Sequence, residues 1–534
     1  MSRAASIAQR LNASLSPGVG DNGALINAAI DALAAAGGGT VTLSAGDFPT
    51  TTSIVMKAGV DLVGQGMLAT AIQPAAVDGI TFTHLETYGN SRISNLSVVG
   101  GAGTTAKVGI YQAGTLDDAD ELYGITIDNV GVRLFNTGMK FRTVRNVTLA
   151  NNWLQDVNTG INLAGKCLVV NIHDNKIVFG AGSGAGTSYA IAIDDFNYTA
   201  GSGVVRPETV RIRDNHIYGF EQGVYFDGVV YGFVTGCDIQ ARVNGVTWST
   251  ADAIIAVTDN YIQIAGTSGA AAVYAVPQAS VINSANRIRD NHINATGTAA
   301  LTSIGVLIGT AIAGNQDNTV IDGNSFTGFT LHDIAIYGSG HVRVRDNECY
   351  SSGLTNSILT AALPGVARPV VIESNDCAAG IGYDTADLTS GALRLGDNIT
   401  GGTVVAGNPW LTPTFAAGNF TANGSMTWTV ESGDVTAYAY RIDGKTMTLL
   451  VTIATTTVGG TLNTQLRIAI PAGRTSAKRV INPCFLLDNN VRATGYLDVG
   501  AGATFVTVHR TDGASFTAST NLTFVYGEIT FEIQ

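Results

Sequence analysis

Along most of the chain apolar and polar residues alternate over short stretches, and the alternation restarts at one recurring phrase: a small or acidic residue, Asn, any residue, then an aliphatic or Cys. The Asn slot falls at Asn95, Asn129, Asn152, Asn175, Asn215, Cys237, Asn260, Asn291, Asn324, Asn347 and Asn375, and five of the ten intervals are 22 or 23 residues. Longer intervals carry extra Gly, Ser, Thr and Ala, as in residues 180–186. A fixed period broken by inserted loops is the sequence form of a solenoid. Alternation of period two points to strands with one buried face. Twenty-odd residues hold three short strands and three turns, whereas helical repeats need roughly 33 or more.

About eight residues after the Asn comes a second phrase, Gly, aliphatic, any residue, apolar: Gly138-Met139-Lys140-Phe141, Gly160-Ile161-Asn162-Leu163, Gly223-Val224-Tyr225-Phe226 and Gly245-Val246-Thr247-Trp248. The expectation is an all-β chain, a right-handed parallel β-helix whose coils stack about 4.8 Å apart. An Asn at the same bend of successive coils tolerates left-handed backbone and shares amide hydrogen bonds up a ladder.

The ends read differently. A β-helix leaves an open sheet edge that must be covered. Asp21 or Asn22 can cap a helix over about 22–36 whose Leu25, Ile26, Ala29, Ile30 and Leu33 share a face, ending at Gly37-Gly38-Gly39. First strands follow at 40–43, 54–56 and 60–63, and residues 21–410 form the β-helix, with 1–20 as an N-terminal attachment segment. After Trp410-Leu411-Thr412-Pro413 the rhythm stops. Longer strands over 438–442, 446–453, 466–470, 505–510 and 522–533, with Asp443-Gly444 as a hairpin turn, predict a jelly-roll-like β-sandwich over 411–534.

Composition supports a stacked solenoid, since only 13% of residues are charged while Gly numbers 65 of 534. Mean hydropathy is +0.22, but no run of eighteen apolar residues predicts membrane insertion. Met1 to Asn12 lacks the apolar core of a secretory signal. The five cysteines are odd in number and scattered; Cys349 and Cys377 share an inward slot of adjacent coils, which predicts core thiols and a reduced, cytoplasmic assembly. A net charge of −12 argues against nucleic acid as a partner. Neither a phosphate loop, a dinucleotide fingerprint nor zinc-spaced Cys and His pairs occur, so no metal and no cofactor is expected.

Stacking turns sequence-remote residues into neighbours. Aligning the second phrase gives an outward column Arg142, Ala164, Asp194, Asp227, Ser249 and beside it Lys140, Asn162, Ala192, Tyr225, Thr247. Asp194 and Asp227 then face each other across adjacent coils, with Asp195, Glu221, Tyr198 and Tyr218 close by. Two carboxylates so near do not both ionise easily, which suits a general acid. A separation of about 5 Å fits retaining glycoside hydrolysis, a wider one inversion. Asp also serves at β-helix turns, and Asp227-Gly228 is a plain turn signal. A second outward column follows the Asn slots: Trp153, Lys176, His216, Asp238, Tyr261, His292, Ser325, Glu348, Asp376. Its His216, Asp238 and Tyr261 are candidate sugar contacts, although the same mixture is equally what any solvated edge of a β-helix shows. Elimination instead needs a base and a cation for a uronate; Arg206, Arg211 and Arg213 with His216 or Tyr218 supply that set, although alternating Arg211 and Arg213 also read as one strand's solvent face.

Asp21 to Phe48, with its acidic start, Ala-rich helix, triple Gly and Ala45-Gly46-Asp47, followed by Gly59-Val60-Asp61-Leu62-Val63-Gly64, resembles the opening of the pectate-lyase-like β-helix of bacteriophage tailspikes. With the coil pattern, the resemblance covers roughly residues 15–410. It implies a homotrimeric receptor-binding protein of the virion, assembled in the host cytoplasm and held by a phage tail or baseplate adaptor. Its task would be to bind and depolymerise a bacterial surface polysaccharide, by hydrolysis ahead of β-elimination or as a non-enzymatic adhesin. The tail resembles the C-terminal sandwiches of tail fibres and spikes, which trimerise or bind glycan. The chain departs from pectate lyases in lacking an acidic calcium cluster. It lacks the Gly-His-Gly and Arg-x-Lys phrases of polygalacturonases, which Gly340-His341 and Asp194-Asp195 echo in part.

Overall fold

The computed structural model describes the chain outside residues 1–10, 83–89, 102, 113–121, 181–186, 195–205, 250–253, 266–268, 277–284, 297–302, 310–317, 339–340, 362, 364–368, 406–408 and 444. The described residues form two compact units, one of residues 1–384 with 398–404, the other of 385–397 with 405–534.

The first unit is a parallel β-helix. Each coil contributes one strand to each of three faces, and every strand pairs in parallel with its counterpart one coil away. The coil of Asp227 shows the plan. Strand Glu208–Arg213 lies on the first face, His216–Tyr218 on the second beyond a bend at Asp214 and Asn215, and Gln222–Asp227 on the third beyond a turn at Gly219–Glu221. The third face is a 13-stranded sheet of its own. Inside, like stacks on like: Leu154, Ile177, Ile217, Ile239, Ile262, Ile293, Phe326, Cys349 and Cys377 form one in-register column without solvent exposure. Each Leu, Ile or Phe side chain of the column contributes about 1.5–3 kcal/mol on burial. The Gly of the second phrase lies near the start of its third-face strand, as Gly223 does in Gln222–Asp227. A Cβ on Gly223 would lie 2.4 Å from the Gly245 carbonyl oxygen and 2.5 Å from Ile239 Cγ2, so neighbouring coils approach too closely there for a side chain.

The Asn ladder is made on both sides of Cys237, which stands in it between Asn215 and Asn260. Asn175 Oδ1 accepts from the Asn152 amide at 3.0 Å and from its Nδ2 at 2.9 Å, and the pattern repeats from Asn260 through Asn291, Asn324, Asn347 and Asn375 to Asn398. Each Nδ2 also donates to a carbonyl of the preceding coil, as Asn260 does to Val234. Two expectations change. The left-handed residue is the one before the ladder Asn, as at Asn151, Asp174, Asp214, Asp259, Asp290 and Asp346. Asn95 and Asn129 themselves have φ near 57° and occupy that earlier column, so Val130 rather than Asn129 aligns with Asn152. Two roles are thus split between adjacent residues: one supplies the bend, the next the buried amide.

At the N-terminal edge, helix Asn22–Ala35 is capped by the Asp21 carboxylate, which accepts from the Gly23 amide and also from Thr51, and sits with its pKa lowered to about 2. Burial opposes that shift, and the hydrogen bonds from Thr51, Thr52 and Gly23 outweigh it. Ile26, Ile30 and Leu33 are buried; Leu25, expected on the same face, is exposed, because a stripe of one residue per turn suffices to cover the edge. Within the expected attachment segment, Leu11–Leu15 is a strand paired in parallel with Gly39–Leu43.

The second unit holds a nine-stranded antiparallel sheet folded over one core, to which Trp428, Tyr438, Leu449, Val451, Leu497, Val508 and Ile529 contribute. Its long strands Thr446–Gly460 and Ser519–Glu532 pair with each other, and Val480–Asp488 with Val491–Val499 forms a hairpin closed at Asn489 and Asn490, both left-handed. That backbone is the two-residue hairpin turn that Asn favours.

Candidate functional site

On the third face, strands Tyr189–Asp194 and Gln222–Asp227 run side by side, with Tyr189 opposite Gln222, Ala192 opposite Tyr225 and Asp194 opposite Asp227. Ile191, Ile193, Val224 and Phe226 fill the interior, so alternation turns Asp194 and Asp227 outward as half-buried neighbours about 4.8 Å apart along the stack. Beside them the Tyr189 and Tyr225 rings lie 5.4 Å apart, tilted by 51°. Glu221 sits at the turn that begins the Asp227 strand; its amide donates to Ser188 Oγ at 2.9 Å and its carboxylate is 3.6 Å from Arg242 Nη2. Burial first, then the charges of Asp194 and Glu221, push the Tyr189 hydroxyl above its ordinary pKa. Tyr189 therefore feels both carboxylates. Asp195 and Tyr198 lie outside the described residues.

The column next to the carboxylates runs Tyr111, Lys140, Asn162, Ala192, Tyr225, Thr247 in unbroken register. Asn162 Nδ2 donates to the Ala192 carbonyl at 3.4 Å, and Thr247 Oγ1 to Gln222 Oε1 at 3.1 Å. Lys140 is held below its usual pKa by burial and by the Arg142 charge, partly offset by Asp194.

The second face carries a shallow groove of about 340 Å³ lined by Trp153, Gln155, Lys176, Val178, His216 and Tyr218. The Lys176 ammonium stands 5.6 Å from the Trp153 ring. Along the same column His216 Nδ1 meets Asp238 Oδ2 at 2.8 Å, Gln240 Nε2 donates to Asp238 Oδ1 at 3.2 Å, and Tyr261 stacks on His292 at 5.4 Å and 14°. Flat rings flanked by amides and charges suit the apolar faces and hydroxyl rims of sugars. His216, Asp238 and Tyr261 stand in one column as their spacing predicts. Gln155 and Val178 escaped the sequence reading, although positions two apart on a strand share a face. Arg213 is not brought to the carboxylates. It lies on the first face, on the solvent side of Glu208–Arg213, with Nη1 3.4 Å from Asp214 Oδ2. Tyr189 was also missed, because its counterparts Thr137, Thr159 and Gln222 carry no common signature.

Among the described residues no group of His, Cys, Asp and Glu is arranged to hold a metal ion, and no helix is long and apolar enough to cross a membrane.

No family model and no curated protein sequence matches the chain. Solved structures do. The Dettilon tailspike protein superposes with a TM-score of 0.59 at 13% identity, over 98% of this chain and 93% of that one. The chain has the fold of a phage tailspike. The tailspike of E. coli bacteriophage HK620 in complex with a pentasaccharide follows at TM-score 0.50 and 10% identity, covering 97% of this chain and 90% of the other. The catalytic unit of a GH87 α-1,3-glucanase from Streptomyces thermodiastaticus reaches 0.51 at 16% identity, over 70% of each chain. The tailspike fold extends along essentially the whole chain, whereas the glucanase covers 70% of it.

Proposed function

We propose that this chain is a phage tailspike that binds a bacterial surface polysaccharide (capsule, exopolysaccharide or O-antigen) along its coils and cleaves it by glycosidic hydrolysis at Asp194 and Asp227. The observation that carries the reading is the in-register pair of outward carboxylates beside Tyr189, Tyr225 and Glu221 on a tailspike fold. Adjacent-coil spacing suits double displacement. In that scheme one carboxyl group gives its proton to the glycosidic oxygen as the C–O bond breaks, while the other carboxylate bonds to the anomeric carbon. Water, deprotonated by the first, then displaces the ester. Lys140, Asn162, Tyr225 and the His216–Asp238–Tyr261 column would hold flanking sugars. A homotrimer on the virion, assembled in the host cytoplasm and joined to a tail or baseplate adaptor, fits the likeness to tailspikes, and the C-terminal unit would trimerise or bind glycan.

The test is incubation with a panel of purified capsules and O-antigens, assayed for new reducing ends and separately for unsaturated uronate. Asp194→Asn and Asp227→Asn should each lower reducing-end release at least a hundredfold while leaving binding intact. Full activity in both variants removes the site assignment. Ultraviolet-absorbing products would mark elimination, and tight binding without products an adhesin.

A further inference from the structure

Two coils before the carboxylate pair, the same face turns from acidic to basic. Residues 133–176 hold six Lys and Arg against two Asp and Glu, in a chain whose net charge is −12. Two of the six, Lys140 and Arg142, stand two apart on strand Thr137–Phe141 and its continuation, about 7 Å from each other on the outer side. Both are half-buried. Among the described residues neither makes an ion pair, and each charge raises the other's cost. The backbone that presents Arg142 is clamped: buried Gln112 accepts from the Arg142 and Thr143 amides through Oε1, both at 3.3 Å, and donates to the Thr143 carbonyl at 2.8 Å. In register with Lys140 are the Tyr111 ring on one side and the Asn162 amide on the other. Two adjacent cations without an ion pair among the described residues, on a fixed bend beside an aromatic ring and an amide, suit an anionic ligand.

We propose that Lys140 and Arg142, with Tyr111 and Asn162, form a subsite for a carboxylated sugar, so that the substrate is an acidic polysaccharide bearing a uronate or similar carboxylate in its repeat. A single carboxylate matches the site, because two cations side by side take one carboxylate between them and the Asp194 and Asp227 carboxylates farther along the same face disfavour a more highly charged group. The subsite is about 10 Å along the stack from Asp194, which places the bound carboxylate on a neighbouring sugar rather than on the one cleaved. The assignment rests on the depolymerase reading of that pair, yet the two fail separately.

Affinity electrophoresis of the full chain in native gels tests it, with polygalacturonate and alginate as carboxylated polymers, dextran as a neutral one, dextran sulfate as a general polyanion, and a polymer-free gel to correct for mobility. Retardation is expected in at least one carboxylated gel and not in dextran or dextran sulfate, weakening as salt rises. Lys140→Gln with Arg142→Gln should reduce it at least tenfold, Lys140→Arg should retain it, and Arg142→Gln alone should fall between. Lack of retardation in both carboxylated gels overturns the subsite, as does equal retardation in dextran sulfate or no effect of the substitutions. Asp194→Asn should keep the retardation. If the wild-type chain is retarded through Lys140 and Arg142 but releases no reducing ends from any polymer, the subsite stands and hydrolysis falls. If reducing ends come from neutral polymers and the Lys140 and Arg142 variants behave as wild type, hydrolysis stands and the subsite falls.

Discussion

Replacing Asp333 with Asn isolates the cost of an ionised group inside the coils. Strand His332–Tyr337 lies on the third face, where Asp333 occupies the slot held by Gly305 one coil before and Ser357 one coil after. It is wholly buried, and neither carboxyl oxygen has a partner of full hydrogen-bond geometry. The nearby Ser351 and Ser357 hydroxyl oxygens accept from the Phe329 and Ala379 amides, and their hydrogens are free to favour the ionised carboxylate, but burial outweighs them and lifts the pKa from 3.8 to about 7. Cys349 is a titratable neighbour; burial lifts its thiol far above the usual range, so it stays neutral here. A folded-state pKa above the unfolded one means the native chain keeps a proton that the unfolded chain has lost. Stability from this group is therefore whole below pH 3.8, falls as pH rises, and is fully lost above about 7. A shift of about three units corresponds to about 4 kcal/mol at most. Asn removes the titration while conserving volume. Hydrogen exchange of the His332–Tyr337 amides, corrected for intrinsic rate, should show Asp333→Asn more protected than wild type at pH 8, with the gap shrinking by several kcal/mol toward pH 4. An equal gap at both pH values, or lower protection of the variant at pH 8, would refute the burial argument.

Two further outcomes follow from single contacts. Cys237 interrupts the Asn ladder: the Asn215 amide and Nδ2 meet its sulfur at 3.5 and 3.9 Å, where other steps offer an amide oxygen near 3 Å. Cys237→Asn should complete the ladder and raise protection of the Glu208–Arg213 amides by about 1–2 kcal/mol in hydrogen exchange, and unchanged or lower protection counts against amide stacking as the source of stability. In the second unit, buried Asp488 accepts from Thr517 through its amide and Oγ1 at 3.0 and 2.9 Å and pairs with Arg510. Asp488→Asn should weaken the Val480–Asp488 hairpin by about 2 kcal/mol, read by urea titration with exchange at Val491–Val499, and no change would mean the pair contributes nothing net.

What the sequence made legible was whatever repeats. The period exposed the ladder from Asn152 to Asn375 and the two outward columns, because each coil restates the same constraint. Asn398 stayed hidden, since Thr400 replaces the aliphatic that normally follows it. The bend residue was assigned one place late for a similar reason: Asn95 and Asn129 satisfy the phrase while filling the left-handed slot, and only the hydrogen bonds separate the two roles. Charges escape the repeat altogether. Asp194, Asp227, Lys140 and Arg142 stand in columns whose other members are the uncharged Ala, Ser, Thr, Asn and Tyr, so alignment locates them while their interaction depends on how far the walls are buried.

That same exception logic separates Asp333 from the outward carboxylates. All three interrupt columns of small or neutral residues, but Asp194 and Asp227 end their strands on the outer side, half in solvent, where a substrate can exchange for water. Asp333 stands at the inward corner, where no ligand can reach it. An outward acid keeps much of its hydration and costs the fold little; an inward acid carries its full desolvation at every moment. If Asp333→Asn stabilises the fold without changing reducing-end release, while Asp194→Asn abolishes release without changing protection of Tyr189–Asp194, burial alone will have sorted chemically identical side chains into a structural cost and a working site.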